Sequence, residues 1–202
     1  MKLWIKAVCI AFVLSVIYSF IPFEAGCVNI SNEVFRLHIP ANSDSAEDQA
    51  LKLKVRDRVL RESEKLFSEA GSKREAERAV ADNLQLLADC AADEIAGNGY
   101  AYPVKAELCR MYFPTRKYDA FTLPAGCYDS LRITIGEGKG HNWWCVMYPS
   151  ICLSAASDQD ERAKEALSDG EYKIVKDQNI EYKFKLVEII EQIKDFFGKR
   201  GD

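Results

Sequence analysis

Several common routes to chemistry are missing from this chain. No Cys-x-x-Cys pair and no His-Glu-x-x-His segment occurs in its 202 residues, and there are only two histidines, His38 and His141. Zinc sites draw on such ligand spacings, so we expect no metal, and nothing in the sequence calls for a cofactor. Basic runs are absent as well: 27 Lys and Arg stand against 31 Asp and Glu, a formal net charge of −4. That balance lacks the electrostatic footprint of a nucleic-acid binder, and no nucleic-acid partner is expected. No internal repeat is visible. Apolar residues do make up 48%, enough at this length for one sizeable core.

One long apolar run is present, at the N-terminus. Lys2 and Lys6 flank the start of Ala7–Ile21, which carries no polar stripe and is closed by Pro22. A short positive segment followed by an apolar one is the pattern of an export signal. The run is also at the lower edge of what crosses a bilayer as a helix. Residues 1–27 are therefore expected to be a signal peptide or an N-terminal membrane anchor, with cleavage and retention both open. The rest of the chain is expected outside the cytoplasm.

Export changes how the cysteines are read. Cys9 aside, six remain: Cys27, Cys90, Cys109, Cys127, Cys145 and Cys152. Thiols outside the cytoplasm tend to oxidise. Cys145 with Cys152 is the expected pair, because Pro149 between them favours a turn that returns the chain. Closing so short a loop would stabilise by about 2.5 kcal/mol in the chain-entropy model. The pairing of Cys27, Cys90, Cys109 and Cys127 is open.

Along the chain, Val34–Ile39 alternates, with Phe35, Leu37 and Ile39 on one face and Val34, Arg36 and His38 on the other, a strand stopped at Pro40. Asp44/Glu47 and Ser45/Asp48 are both spaced as capping pairs, so a helix starts there and runs to about Ala70. Leu51, Val55, Val59 and Leu66 form one stripe; Leu53, Leu60 and Phe67 form another. Lys52, Arg56 and Ser63 project between the stripes, with heads reaching water or, for Arg56, an acidic group across the fold. Gly71 ends this helix and Ser72–Glu75 caps a second that reaches Ile95, making an antiparallel pair. Val104–Phe113 reads as a strand.

Leu131–Ile135 alternates, Trp143–Tyr148 is apolar on both faces, and Gly136, Gly138 and Gly140 between them read as the turn of a hairpin. Beyond Leu153 the chain turns polar, with no core-facing pattern through Asp169. A last strand, Ile180–Phe184, runs into an amphipathic helix ending near Phe197. The fold class is α+β: an antiparallel helical pair on one face of a mainly antiparallel sheet. Residues 28–153 form the domain, and 154–202 a charged linker with a strand–helix extension.

The stretch from Gly136 to Cys152 gathers His141, Asn142, Trp143, Trp144 and two cysteines. Adjacent strand residues point to opposite faces. With helices over one face only, one Trp joins the core and the other is on show beside His141. An alternative is a secreted hydrolase in which His38, Asp44 and His141 supply acid–base groups, although Asp44 would have to leave a capping role.

Arg36-Leu37-His38, Ala41-Asn42-Ser43-Asp44-Ser45, Asp48-Gln49 and the run Leu51 to Asp57, with Arg56 in it, resemble the stage II sporulation protein R family. So do Leu123–Gly126, Leu131-Arg132, Ile135-Gly136 and the block Gly140–Val146 with Pro149 and Cys152. The likeness covers roughly residues 34 to 153, with an echo in Phe184–Glu188. Two long motifs in order are far more specific than a lone glycine pattern. The resemblance implies a protein made in the forespore and exported into the space between two membranes. There it would trigger a membrane-embedded aspartic protease that processes pro-sigma-E. The chain would then be a signal and no enzyme. His141, Asn142, Trp143 and Trp144 are the candidates for contact with that receptor.

Overall fold

The computed structural model describes residues 2–67, 70–118, 121–149, 156–177, 184–185 and 187–189. Helix α1 spans Lys2–Glu33. Strand β1 (Phe35–Pro40) follows, then α2 (Ala46–Leu66), α3 (Lys73–Asp82) and α4 (Leu84–Gly97). Strands β2 (Val104–Phe113), β3 (Arg116–Lys117), β4 (Thr122–Leu123), β5 (Gly126–Ile135) and β6 (Asn142–Tyr148) come next, and α5 (Ala156–Ala166) and α6 (Asp169–Lys176) close the description of regular elements. The α+β class expected from sequence holds.

The sheet order is β2-β5-β1-β6. β1 runs parallel to β5 and antiparallel to β6, and β2 is antiparallel to β5. This corrects one expectation: β5 and β6 are not hairpin partners, because β1 is inserted between them. The glycine-rich connection crosses the end of β1 instead of folding back on its own strand. β3 and β4 make a small separate hairpin within the β2–β5 connection.

The alternation of β1 sorts the two cores. Phe35, Leu37 and Ile39 join Leu131, Ile133, Ile135, Cys145 and Met147 beneath Leu51, Val55, Val59, Val80, Leu87 and Ile95 from the helices. The opposite face is also covered, contrary to the one-sided arrangement expected. Ile30 and Val34 at the end of α1, Phe113, Phe121, Leu123, Tyr128 and Val146 form a second core with Ala163, Leu167 and Val175. The polar 158–169 stretch therefore does contribute to packing, through single small or aliphatic residues too sparse to make a periodic stripe.

Two helix boundaries also differ from expectation. The second helix of the pair is broken at Asn83, whose backbone leaves helical geometry and whose side-chain Nδ2 donates to the Ala79 carbonyl at 2.9 Å. Pro22 lies inside α1 and does not close it. The helix runs across the 27/28 position, and its last turns bury Phe23, Cys27 and Ile30. Its first half leaves Trp4, Ile5, Val8, Ile10, Phe12 and Leu14 exposed. Among the described residues no helix is long and apolar enough to cross a membrane, and four side chains within Ala7–Ile21 fall outside the description. Phe184 packs on Phe23 with ring centroids 5.6 Å apart and is helical, not the end of the strand expected over Ile180–Phe184, whose other residues lie outside the described ones.

Candidate functional site

The two motif-rich segments meet at one end of the sheet. Pro40 ends β1 and the chain turns through Ala41–Ser45 into α2, where Ser45 accepts a hydrogen bond from the Asp48 amide and caps the helix. Against this turn lies the connection from β5 to β6. Gly140 N donates to the Ala41 carbonyl at 2.9 Å, Lys139 N to the Asn42 carbonyl at 3.3 Å, and Glu137 N to Asn42 Oδ1 at 3.1 Å. The glycines are required by this approach. Gly136 and Gly138 have φ of +57° and +62°, and a β-carbon at Gly136 or Gly140 would collide with the Asn42 side chain or the Ser43 carbonyl.

Asp48 is the hub of the knot. It is buried, and it accepts Asn42 Nδ2 at 2.8 Å and Ser43 Oγ at 2.6 Å, while the Tyr102 hydroxyl also reaches its carboxylate. Burial works against its charge, but the donors from Ser43, Asn42 and Tyr102 outweigh it and hold the carboxyl below its ordinary range. Lys52, expected in water, is buried instead. Its Nζ donates to the His141 carbonyl at 2.9 Å and to Gln49, and desolvation lowers its pKa.

Outward from this frame stands an exposed pair. Asp44 Oδ1 lies 2.5 Å from His141 Nδ1 and accepts the His141 amide as well, with the two side chains 55% and 81% exposed. The hydrogen bonds from His141 hold the Asp44 carboxyl below the usual range. Asn142 beside them is exposed.

The two tryptophans do face opposite sides, but neither stands free. Trp143 is half-buried on the helical face, with the Arg56 guanidinium 4.3 Å above its ring. Arg56 also pairs with its neighbour Asp57 at 2.6 Å, not with an acid across the fold. Trp144 is half-buried on the other face, stacked on His38 at 4.3 Å and edge-on to Phe113 at 4.8 Å. The expected exposed Trp is corrected for a simple reason: both faces of the sheet carry a covering layer.

Arg36 is fully buried on that second face. Its guanidinium lies 4.2 Å from the Phe113 ring centre and 5.0 Å from that of Tyr128. Nη2 donates to Tyr118 Oη at 2.6 Å and Nε to the Cys145 carbonyl at 3.2 Å, while Nη1 finds no hydrogen-bond acceptor. His38 is buried, and desolvation lowers its pKa from 6.5 to about 4, with the Asn142 side chain acting in the other direction. Neither ring nitrogen meets hydrogen-bond geometry. So the hydrolase triad does not assemble: Asp44 and His141 pair at the surface, and His38 is walled in as a neutral ring. Among the described residues no three His, Cys, Asp or Glu side chains are grouped to hold a metal ion.

Cys145 is buried and disulfide-bonded. Cys152, its expected partner, lies outside the described residues. Sequence reading missed Asp48 as a hub and Tyr102 altogether. The first looked like an ordinary capping residue, and the second sits in a loop whose only local signals were Gly99 and Pro103.

The fold and this site define an α+β protein with a sheet covered on both faces. A glycine-dependent loop knot at one end presents the polar side chains of Asp44, His141 and Asn142. The chain belongs to the stage II sporulation protein R family, whose model matches residues 31–158. It is 33% identical over 154 residues to stage II sporulation protein R of Bacillus subtilis (strain 168), which spans 74% of this chain and 69% of that relative. No solved structure matches it.

Proposed function

We propose that this chain is an exported sporulation signal that activates the membrane-embedded aspartic protease processing pro-sigma-E, and that it is not itself an enzyme. One observation carries the reading of the surface: both family motifs, distant in sequence, converge on the knot that presents Asp44, His141 and Asn142. Arg36, His38 and Asn42 hold the structure, and His141 and Asn142 are exposed, followed by the half-buried Trp143 and Trp144. A receptor is switched by a ligand that binds its active arrangement better than its inactive one, and a preformed loop loses little entropy on binding. The exposed apolar half of α1 suits a membrane as export signal or anchor, and Cys145 is proposed to pair with Cys152.

Co-expression of the full chain with the protease and pro-sigma-E tests this reading. Processing of the pro-factor should require the chain and its export. A folded, exported chain that leaves the pro-factor intact would overturn it.

A further inference from the structure

The surface named above depends on a residue that never reaches it. Asp48 lies on the first turn of α2 with 4% of its surface exposed, and it touches neither His141 nor Asn142. It holds Asn42 through Nδ2, and the Oδ1 of the same amide accepts the Glu137 N–H. One side chain thus carries the carboxylate's influence into the glycine turn. Ser43 is held by the same carboxylate oxygen, and its own carbonyl accepts Gln49 Nε2 at 2.9 Å. The Ser43 and Ala41 carbonyls line the wall against which Gly140 fits.

A third segment joins from outside both family motifs. Tyr102 reaches Asp48 with its hydroxyl and stacks on Tyr100, ring centroids 5.4 Å apart. The Pro103 carbonyl beside it accepts the Gly136 amide at 2.9 Å. Three stretches of chain are therefore tied to one buried acid: 41–49 and 100–103 directly, and 136–141 through the Asn42 side chain. A carboxylate accepting several hydrogen bonds in a poorly solvated site fixes its donors far better than an exposed one does.

We propose that Asp48 is the positioning residue of the receptor-facing surface, holding the His141–Asn142 turn through Asn42 and drawing the stacked Tyr100–Tyr102 pair onto the same face. This rests on the reading that the knot meets the receptor. Its consequence is that a side chain with no access to a partner governs the signal, and that the contact surface extends to two tyrosines.

The test uses the full chain with Asp48→Asn, the milder Tyr102→Phe, and Lys73→Met as a control. Lys73 forms a largely buried pair with Asp129 at 2.6 Å, away from the knot. Hydrogen exchange of the Glu137, Lys139, Gly140 and His141 amides reports the turn directly, and pro-sigma-E processing reports the signal. Asp48→Asn should speed those amides roughly tenfold and Tyr102→Phe by less. Lys73→Met should leave them as in the parent. Processing should fall in the same order at matched levels of folded protein. Unchanged exchange in both knot variants would overturn the role given to Asp48. Opened amides with full processing would instead overturn the receptor-facing reading, so the two failures are distinct.

Discussion

His38 is the residue whose chemistry changes most between sequence and structure. A histidine beside Asn and Asp residues suggests catalysis; stacked on Trp144 and buried, it is a neutral ring. Its pKa falls from 6.5 to about 4, so between those values the unfolded chain binds a proton that the folded chain does not. Stability therefore rises with pH through that window, and is lost as pH falls from 6.5 towards 4. The full effect is on the order of 3 kcal/mol. Urea unfolding across that range should show this slope in the parent, flattened in His38→Gln. Asp48, held below the carboxylate range, adds a further loss only at still lower pH.

Arg36 makes the same point from the cation's side. The fork of its guanidinium serves Tyr118, the Cys145 carbonyl and two aromatic faces together. An ammonium reproduces neither the fork nor the stacking. Arg36→Lys should cost about 2–3 kcal/mol in denaturant unfolding. A loss below a few tenths would show that the box tolerates any cation.

Among the elements, β6 decides how much of the site is scaffold. Trp143 and Trp144 each pack into a covered face, so replacing either by Ala should destabilise by about 2–3 kcal/mol, less than a fully buried Trp. A variant that unfolds like the parent would return that Trp to the surface. The connection before β6 has its own signature. Gly140→Ala drives a β-carbon into the Ser43 carbonyl and should open the knot. Gly170→Ala on α6 meets nothing within 4 Å and should gain roughly 0.5–1 kcal/mol.

Element-level reading from sequence worked where the cause is local. The alternation of Phe35, Leu37 and Ile39, the Ser45 and Ser72 caps and the both-sided apolar character of β6 all depend on near neighbours, and all are found. The partner of β5 is not a local property. Two strands joined by a glycine turn look like a hairpin until β1, some ninety residues earlier in sequence, is seen between them. Burial of Lys52 is non-local in the same way: its acceptor, the His141 carbonyl, is 89 residues away.

At the scale of the molecule, the sheet is closed on one face by α2–α4 and on the other by α1, the β3–β4 hairpin, α5 and α6. Among the described residues the knot lies at an end of this sheet, not on either covered face. The family motifs were legible in the sequence. Their meeting as one surface was not, because it depends on how β1 and the β5–β6 connection pass each other. The most direct measurement is the rate of pro-sigma-E processing when the protease is co-expressed with the parent or with His141→Ala/Asn142→Ala, at equal amounts of folded, exported protein. Both side chains are exposed, so folding should be nearly unchanged. The parent should support processing, and the double variant should lose most of it. Equal processing by the two would contradict it and place the receptor contact elsewhere on the protein.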